Sequence, residues 1–186
     1  DWDWVMGVNY QGVLQGIQTF LPHMLEHGEE GHVLTTVSMA GLLPGAGTYG
    51  VSKHAVMALT EALSRDLITR EAKINASVLC PGFVDTNIDK SERNRPSHMG
   101  EAKELTNEVG AEIMSVMLRQ GKKPEEIAEI VINAIKENIF YILSHPAWDE
   151  SLRSHFENIL SRKEISRNSE EEIAKFFSPR EDGEKY

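Results

Sequence analysis

"GLLPGAGTYGVSKHAVMALTEAL", residues 41–63, decides the fold, and it supports two incompatible readings. Gly45, Gly47 and Gly50 spell G-x-G-x-x-G just ahead of a helical pattern, as in a turn that binds a dinucleotide's phosphates. The same letters spell Tyr-x-x-x-Lys, Tyr49 and Lys53, an acid/base pair. A phosphate turn needs its first glycine at the tip of a strand, with the helix N-terminus facing the pyrophosphate. Here the preceding strand pattern ends near Ser38, and residues 39–44 intervene. An acidic residue should close the next strand about 20 residues later; that strand pattern ends at Cys80, and Asp85 lies too far on. The tyrosine reading needs only the helix. At spacing i,i+4 the two side chains share a face, and an ammonium beside a phenol favours the phenolate. A tyrosine whose pKa is lowered in this way can give or take a proton near neutrality.

The flanking chain organises itself around this stretch. "HVLTTVS" (32–38) is β-branched and bounded by Gly31 and Gly41, which predicts a buried strand. "INASVLC" (74–80) predicts a second strand, stopped by Pro81-Gly82, and "IFYILSH" (139–145) a third. Between them lie helical patterns. Residues 2 to about 26 keep Val5, Val8, Val13, Ile17, Phe20, Leu21 and Met24 in helical spacing, with Pro22 expected to kink or end the last turns. A helix over 49–70 places Ala55, Leu59, Ala62 and Leu63 on one face. Pro124 opens a helix whose Ile127, Ile130, Val131, Ala134 and Ile135 form an apolar stripe. "AEIMSVMLRQG" and "WDESLRSHFENIL" predict two further helices.

Strands alternating with helices imply an α/β fold with a parallel sheet. A doubly wound sheet usually has five or more strands, with helices on both faces. Three are visible, so the chain reads as the C-terminal part of such a domain, running over residues 1–162. The charged residues 163–186 are expected to form a flexible tail.

Composition narrows the function. The 186 residues are 40% hydrophobic and 26% charged, with a formal net charge of −10. That balance offers no basic stripe for phosphates and argues against a nucleic-acid partner. A single cysteine, Cys80, excludes an internal disulfide and fits a reducing, cytoplasmic compartment. No apolar run approaches the roughly 20 residues needed to span a bilayer, so no membrane role is expected. His145, Asp149 and His155 are too scattered to read as a metal site.

Ser38 ends one strand pattern, "PGFVDT" follows the next, and the Tyr49 helix begins nearby. All three therefore fall at the carboxyl edge of the sheet, where open α/β folds bind ligands. "VNYQG" (8–12), "TVSMAG" (36–41), "YGVSK" (49–53) and "VLCPGFVDT" (78–86) occur in that order. As a set they resemble the short-chain dehydrogenase/reductase family, closely over residues 2–90 and loosely beyond. A bare Tyr-x-x-x-Lys is nearly worthless as a signal; the ordered set of four is specific.

The resemblance implies a Rossmann-like fold and an NAD or NADP cofactor. The reaction would be hydride exchange between a secondary alcohol and a ketone. Tyr49 matches the general acid/base, Lys53 the lysine that lowers its pKa and holds the nicotinamide ribose, and Ser38 the hydroxyl that binds the substrate oxygen. Asn9 matches the residue holding a water that relays protons from Lys53 to solvent. Pro81, Gly82, Val84 and Thr86 match the segment lying along the nicotinamide, Val84 and Thr86 being the carboxamide contacts. Residues 87–120 match the substrate lid, whose Met114, Val116, Met117 and Leu118 point to an apolar substrate. A homodimer or homotetramer of the complete protein is implied.

Two features depart from the family. Ser38 stands closer to Tyr49 than usual, so the loop between them must be tight. Nothing matches the glycine-rich turn, the ribose-selecting residue or the Asn-Asn-Ala-Gly segment, which are expected upstream of Asp1 in a longer protein. Two rival readings remain: a truncated, non-catalytic module of the same family, and a serine hydrolase using "TVSMAG", which has Thr36 and Ala40 where a nucleophile turn has glycines.

Overall fold

In a computed structural model, residues 1–100 and 108–163 are described. The expected tail from residue 164 onward and the lid positions 101–107 lie outside them. The chain divides into two compact units, Asp1–Ser144 and His145–Tyr186.

The first unit is built on a three-stranded parallel sheet, β1 (Gly31–Thr36), β2 (Ile74–Cys80) and β3 (Tyr141–Leu143), in that spatial order. Register runs from Gly31 opposite Ile74 to Thr36 opposite Leu79, and from Val78 opposite Tyr141 to Cys80 opposite Leu143. Alternation along the strands divides the core in two. Ile74, Ala76 and Val33 face α2 (Gly12–His27) and α3 (Gly47–Thr69), packing with Ile17, Leu21, Met24, Leu63 and Leu67. Leu79, Ile142 and Leu34 face the opposite way, onto Ile127, Val131 and Ala134 of α5 (Pro124–Lys136). Helices thus cover both faces, as in a doubly wound Rossmann-like sheet. The stripe expected on α5 is the buried one.

Three helical expectations need correction. Pro22 does not end its helix: α2 runs on through it to His27 and stops at Gly28, whose φ of 68° provides the left-handed cap. Val8 and Phe20, predicted within the apolar stripe, are exposed, because only one narrow face of this helix meets the sheet. On α3 the buried stripe is Ser52, Val56, Thr60, Leu63 and Leu67, while Ala62 is exposed. Two hydroxyls sit in that stripe because each is satisfied locally. Ser52 Oγ donates to the Tyr49 carbonyl at 2.7 Å, and Thr60 Oγ1 to the Val56 carbonyl at 2.8 Å. Thr60 also meets Thr35 Oγ1 of β1 at 2.8 Å, tying helix to strand.

Helix α1 (Trp2–Met6) joins α2 through a π-helical turn, Gly7–Gln11. Such turns inside α-helices are often found at functional sites, and this one carries Asn9. After β2 come short 3₁₀ turns at Ile88–Asn94 and Ser97–Met99, then α4 (Glu108–Gln120). On α4, Leu118 is buried while Ile113, Met114 and Val116 are exposed. The third strand is shorter than predicted. Ile139 precedes it and supplies a carbonyl to Ser77 Oγ at 2.6 Å.

In the second unit, α6 spans Asp149–Leu160 and opens with Asp149 and Glu150, acidic groups favoured at a helix N-terminus. Among the described residues no helix is long and apolar enough to cross a membrane, and no group of three or more His, Cys, Asp or Glu is placed to hold a metal ion.

Candidate active site

Pairing of the two central strands continues beyond their formal ends. Val37 N–H donates to the Leu79 carbonyl at 2.8 Å and Met39 N–H to the Pro81 carbonyl at 3.0 Å. Ser38 is therefore set beside the start of the Pro-Gly segment at the carboxyl edge of the sheet. Its Oγ accepts from Ala40 N–H at 3.1 Å as the chain enters a 3₁₀ turn, Met39–Gly41. That turn is not the direct strand-to-helix passage a nucleophile elbow requires.

Three successive residues then take positive φ: Gly45 at 107°, Ala46 at 56° and Gly47 at 51°. This left-handed run reverses the chain sharply enough to start α3 at Gly47 in spite of the short Ser38–Tyr49 interval. Gly50 seals the reversal, because a Cβ there would overlap the Gly45 carbonyl. The glycines of the opening motif thus build a turn. They do not line up at a strand tip as a phosphate cradle would.

The turn brings Tyr49 towards Ser38, whose side chain acts on the phenol to favour its ionised form. Lys53 follows one turn later, its Nζ 5.6 Å from the centroid of the Tyr49 ring. The ammonium donates to the Thr36 carbonyl at 3.0 Å, so the end of β1 fixes it. Asn9 Nδ2 donates to Ser52 Oγ at 3.0 Å, and Ser52 in turn holds the Tyr49 carbonyl. Ser38, Tyr49, Lys53 and Asn9, spread over a helix, a strand end and a second helix, are joined through these contacts.

The electrostatics differ from the sequence expectation at one point. Burial pushes the Tyr49 phenol above its ordinary value, and the Ser38 hydrogen bond opposes the rise only in part. Lys53 is itself held below the usual lysine range by burial. The predicted lowering of Tyr49 by Lys53 is therefore absent in this arrangement. The physical reason is burial of the phenol, which outweighs an ammonium that donates to the Thr36 carbonyl and stands 5.6 Å from the ring centroid. Cys80, fully buried beside the site, has its thiol pushed up to about 12 by desolvation and stays neutral.

The Pro81–Thr86 segment is anchored on its far side by residues that the sequence reading did not single out. Val84 forms a parallel bridge with Lys122. Lys122 N–H donates to the Phe83 carbonyl at 3.1 Å, and Asp85 N–H to the Lys122 carbonyl at 2.9 Å. Asp85 grips Arg119 Nη1 at 2.8 Å with one carboxylate oxygen and Lys123 Nζ at 2.6 Å with the other. These two cations, Lys123 first, hold the Asp85 carboxyl below the usual carboxylate range. The cluster "RQGKK" (119–123) is visible in the sequence, but nothing in its spacing reveals Asp85 as its partner.

As a donor set, the site suits a diol beside a carbonyl or alcohol. A half-buried ammonium has three N–H groups, of which Thr36 takes one, and a serine and a tyrosine hydroxyl converge next to it. That chemistry fits the ribose and nicotinamide end of a pyridine dinucleotide.

Residues 1–97 match the short chain dehydrogenase family. A C alpha-dehydrogenase of a Sphingobium species is 33% identical over 162 residues, covering 86% of this chain and 52% of that protein. A 3beta-hydroxysteroid dehydrogenase of Eggerthella lenta is 35% identical over 129 residues, covering 68% of this chain and 46% of that protein. The chain thus spans about half the length of the curated relatives it matches. The crystal structure of a short-chain dehydrogenase/reductase from Burkholderia phymatum, in complex with NAD, superposes with a TM-score of 0.84 at 38% identity, over 89% of this chain and 61% of that one. With its α/β sheet, its ordered motifs and these likenesses, the chain belongs to the short-chain dehydrogenase family.

Proposed function

We propose that the protein is a nicotinamide-dependent oxidoreductase that interconverts a secondary alcohol and a ketone, with Tyr49 as general acid/base. The carrying observation is the Lys53 ammonium 5.6 Å from the centroid of the Tyr49 ring, with the Ser38 side chain near enough to favour the ionised phenol. NAD, bound by the Burkholderia relative, and NADP are both of the implied cofactor type. When bound, the nicotinamide exchanges hydride with the carbinol carbon.

The chain's own residues handle the proton. Ser38 and Tyr49 hold the substrate oxygen between two hydroxyls. In the reducing direction the phenol O–H donates its proton to that oxygen as the alcohol forms. In the oxidising direction the phenolate takes the proton back. Burial keeps the phenol protonated, which favours donation, while the Ser38 bond favours the ionised form that oxidation needs. Lys53 offers its remaining N–H groups to the ribose hydroxyls. Asn9 holds a water that passes protons between Lys53 and solvent, and Val84 and Thr86 meet the carboxamide.

An apolar, cyclic alcohol or ketone fits the exposed Ile113, Met114 and Val116 of α4, and the Eggerthella relative is named for a hydroxysteroid. Residues 87–120 act as the substrate lid of the domain ending at 162. The complete protein is a cytoplasmic homodimer or homotetramer, for which the exposed Val8 and Phe20 on the first helices offer an apolar face.

The test is Tyr49→Phe in the full-length protein as its gene encodes it, followed through NAD(P)H absorbance. Turnover should fall by roughly 10²–10⁴-fold, the worth of a positioned acid/base, with cofactor affinity retained. Turnover within a few-fold of the parent would overturn the assignment.

A further inference from the structure

The carboxylate of Asp85 sits in the middle of the segment expected to contact the nicotinamide, yet its chemistry plays no part in the reaction proposed above. It bridges two cations from a distant stretch of chain, Arg119 in the last turn of α4 and Lys123 at the N-cap of α5. Both cations have fixed bases. The Lys123 backbone N–H donates to Glu126 Oε2 at 2.7 Å, and Gly121 between them is packed against the Phe83 backbone. Arg119 reaches further along the same segment, to Asn87 Oδ1 at 3.3 Å and Asp89 Oδ1 at 3.6 Å. One guanidinium therefore gathers Asp85, Asn87 and Asp89. Asp89 Oδ1 is buried without a hydrogen-bond partner among the described residues, one short shift from closing on it.

On the sheet side, Met39 N–H donates to the Pro81 carbonyl. From Phe83 to Asp85 the segment is held from the α4–α5 side, by the Lys122 backbone and by the Asp85 ion pairs. A bridging carboxylate restrains its backbone in two directions, because its two oxygens answer to cations rooted on different helices.

We propose that Arg119 and Lys123, acting through Asp85, are positioning residues that hold Val84 and Thr86 in register for the nicotinamide end of the cofactor and couple that register to α4. This rests on the reading of the site as a nicotinamide-dependent one.

Asp85→Asn removes the charge and preserves the shape. In the full-length protein, calorimetric titration with NADH, NADPH and ADP-ribose separates the possibilities, because ADP-ribose lacks the nicotinamide ring. The expected result is several-fold weaker NADH or NADPH binding with ADP-ribose binding unchanged. The turnover number should fall by roughly tenfold to a hundredfold, the scale of an ångström-sized misplacement near a reacting centre. Amide exchange at Asp85 should quicken in step. Arg119→Gln with Lys123→Gln should reproduce the effect, and adding Asp85→Asn to that pair should do nothing further. Unchanged NADH and NADPH affinity would overturn the proposal and leave the site reading intact. An equal loss for ADP-ribose would overturn it as well, since it marks general disruption. A parent protein that binds ADP-ribose but neither NADH nor NADPH would instead overturn the site reading itself.

Discussion

Gly121→Ala puts two physical effects of opposite sign into competition. Gly121 does not take the left-handed conformation, so alanine fits its backbone. By chain entropy alone the substitution should stabilise by about 0.4–1 kcal/mol. Sterics oppose this. A Cβ at Gly121 would overlap the Phe83 carbonyl group and lie 2.9 Å from the Val84 nitrogen, and all of these are backbone atoms that no rotamer change can move aside. Restoring ordinary contact requires the segment to retreat by about 1 Å. The Lys122 N–H to Phe83 bond, 3.1 Å long, and the Asp85 N–H to Lys122 bond, 2.9 Å long, are then stretched past useful range. Two such bonds at about 0.5–1.5 kcal/mol each, together with overpacking strain, cost about 2–4 kcal/mol. Net destabilisation of about 1–3 kcal/mol follows, a fall in Tm of about 3–10 °C for a chain of this size or larger. Differential scanning calorimetry reads the midpoint, and a cofactor titration reads the accompanying loss of affinity. Gly16→Ala is the control, since nothing lies within 4 Å of a Cβ there. A midpoint for Gly121→Ala at or above the parent's would refute the packing argument and the anchoring role drawn from it.

Two further outcomes concern the body of the fold. Thr60→Val removes the acceptor for the buried Thr35 hydroxyl, and urea unfolding should register a loss of about 1–3 kcal/mol. Replacing both threonines by valine should cost less than the single change, and an equal or larger cost would disprove the buried pairing. His32 Nε2 meets Ser77 Oγ at 2.8 Å while Ser77 donates to the Ile139 carbonyl, and burial holds the imidazole below its ordinary 6.5. The folded chain therefore favours neutral His32 and the unfolded chain binds the extra proton. This contribution is complete above 6.5 and is lost as pH falls through the lowered folded value. Stability measured across that window should decline less steeply in His32→Gln, and parallel curves would contradict the assignment.

What the sequence revealed and what it hid follow a physical division. The central strands were legible because β-branched runs bounded by Gly31, Gly41 and Pro81-Gly82 are local signals. The α5 stripe was legible because Ile127, Val131 and Ala134 all face one sheet surface. The candidate site was visible as an order of motifs, since Ser38, Tyr49 and Lys53 lie on neighbouring elements. The burial of Ser52 and Thr60 was hidden, because a hydroxyl enters a core only when a particular carbonyl is in reach. Pro22 read as a breaker because its effect on an isolated helix is unfavourable, whereas Ile17, Leu21 and Met24 pack this helix on both sides of it against the sheet. The rise in Tyr49's pKa was hidden for a related reason. Spacing brings Lys53 near, but desolvation depends on everything else that surrounds the phenol.

The short distance from Ser38 to Tyr49, a departure from the family in the sequence, has a visible counterpart in the loop. A shorter loop between a strand end and a helix start can close only if the chain turns back more sharply. The three consecutive positive φ angles at Gly45, Ala46 and Gly47 provide that turn. Alanine has no steric freedom there, and a left-handed alanine costs roughly 1–2 kcal/mol. A turn tolerating that cost is held in place by something else. Here the close approach of Gly50 to the Gly45 carbonyl and the Ser52 Oγ bond to the Tyr49 carbonyl fix the start of α3 that follows it. The strained residue and the Tyr49–Lys53 pair therefore belong to one construction, in which the glycines that first resembled a phosphate cradle serve to bring the tyrosine towards the serine.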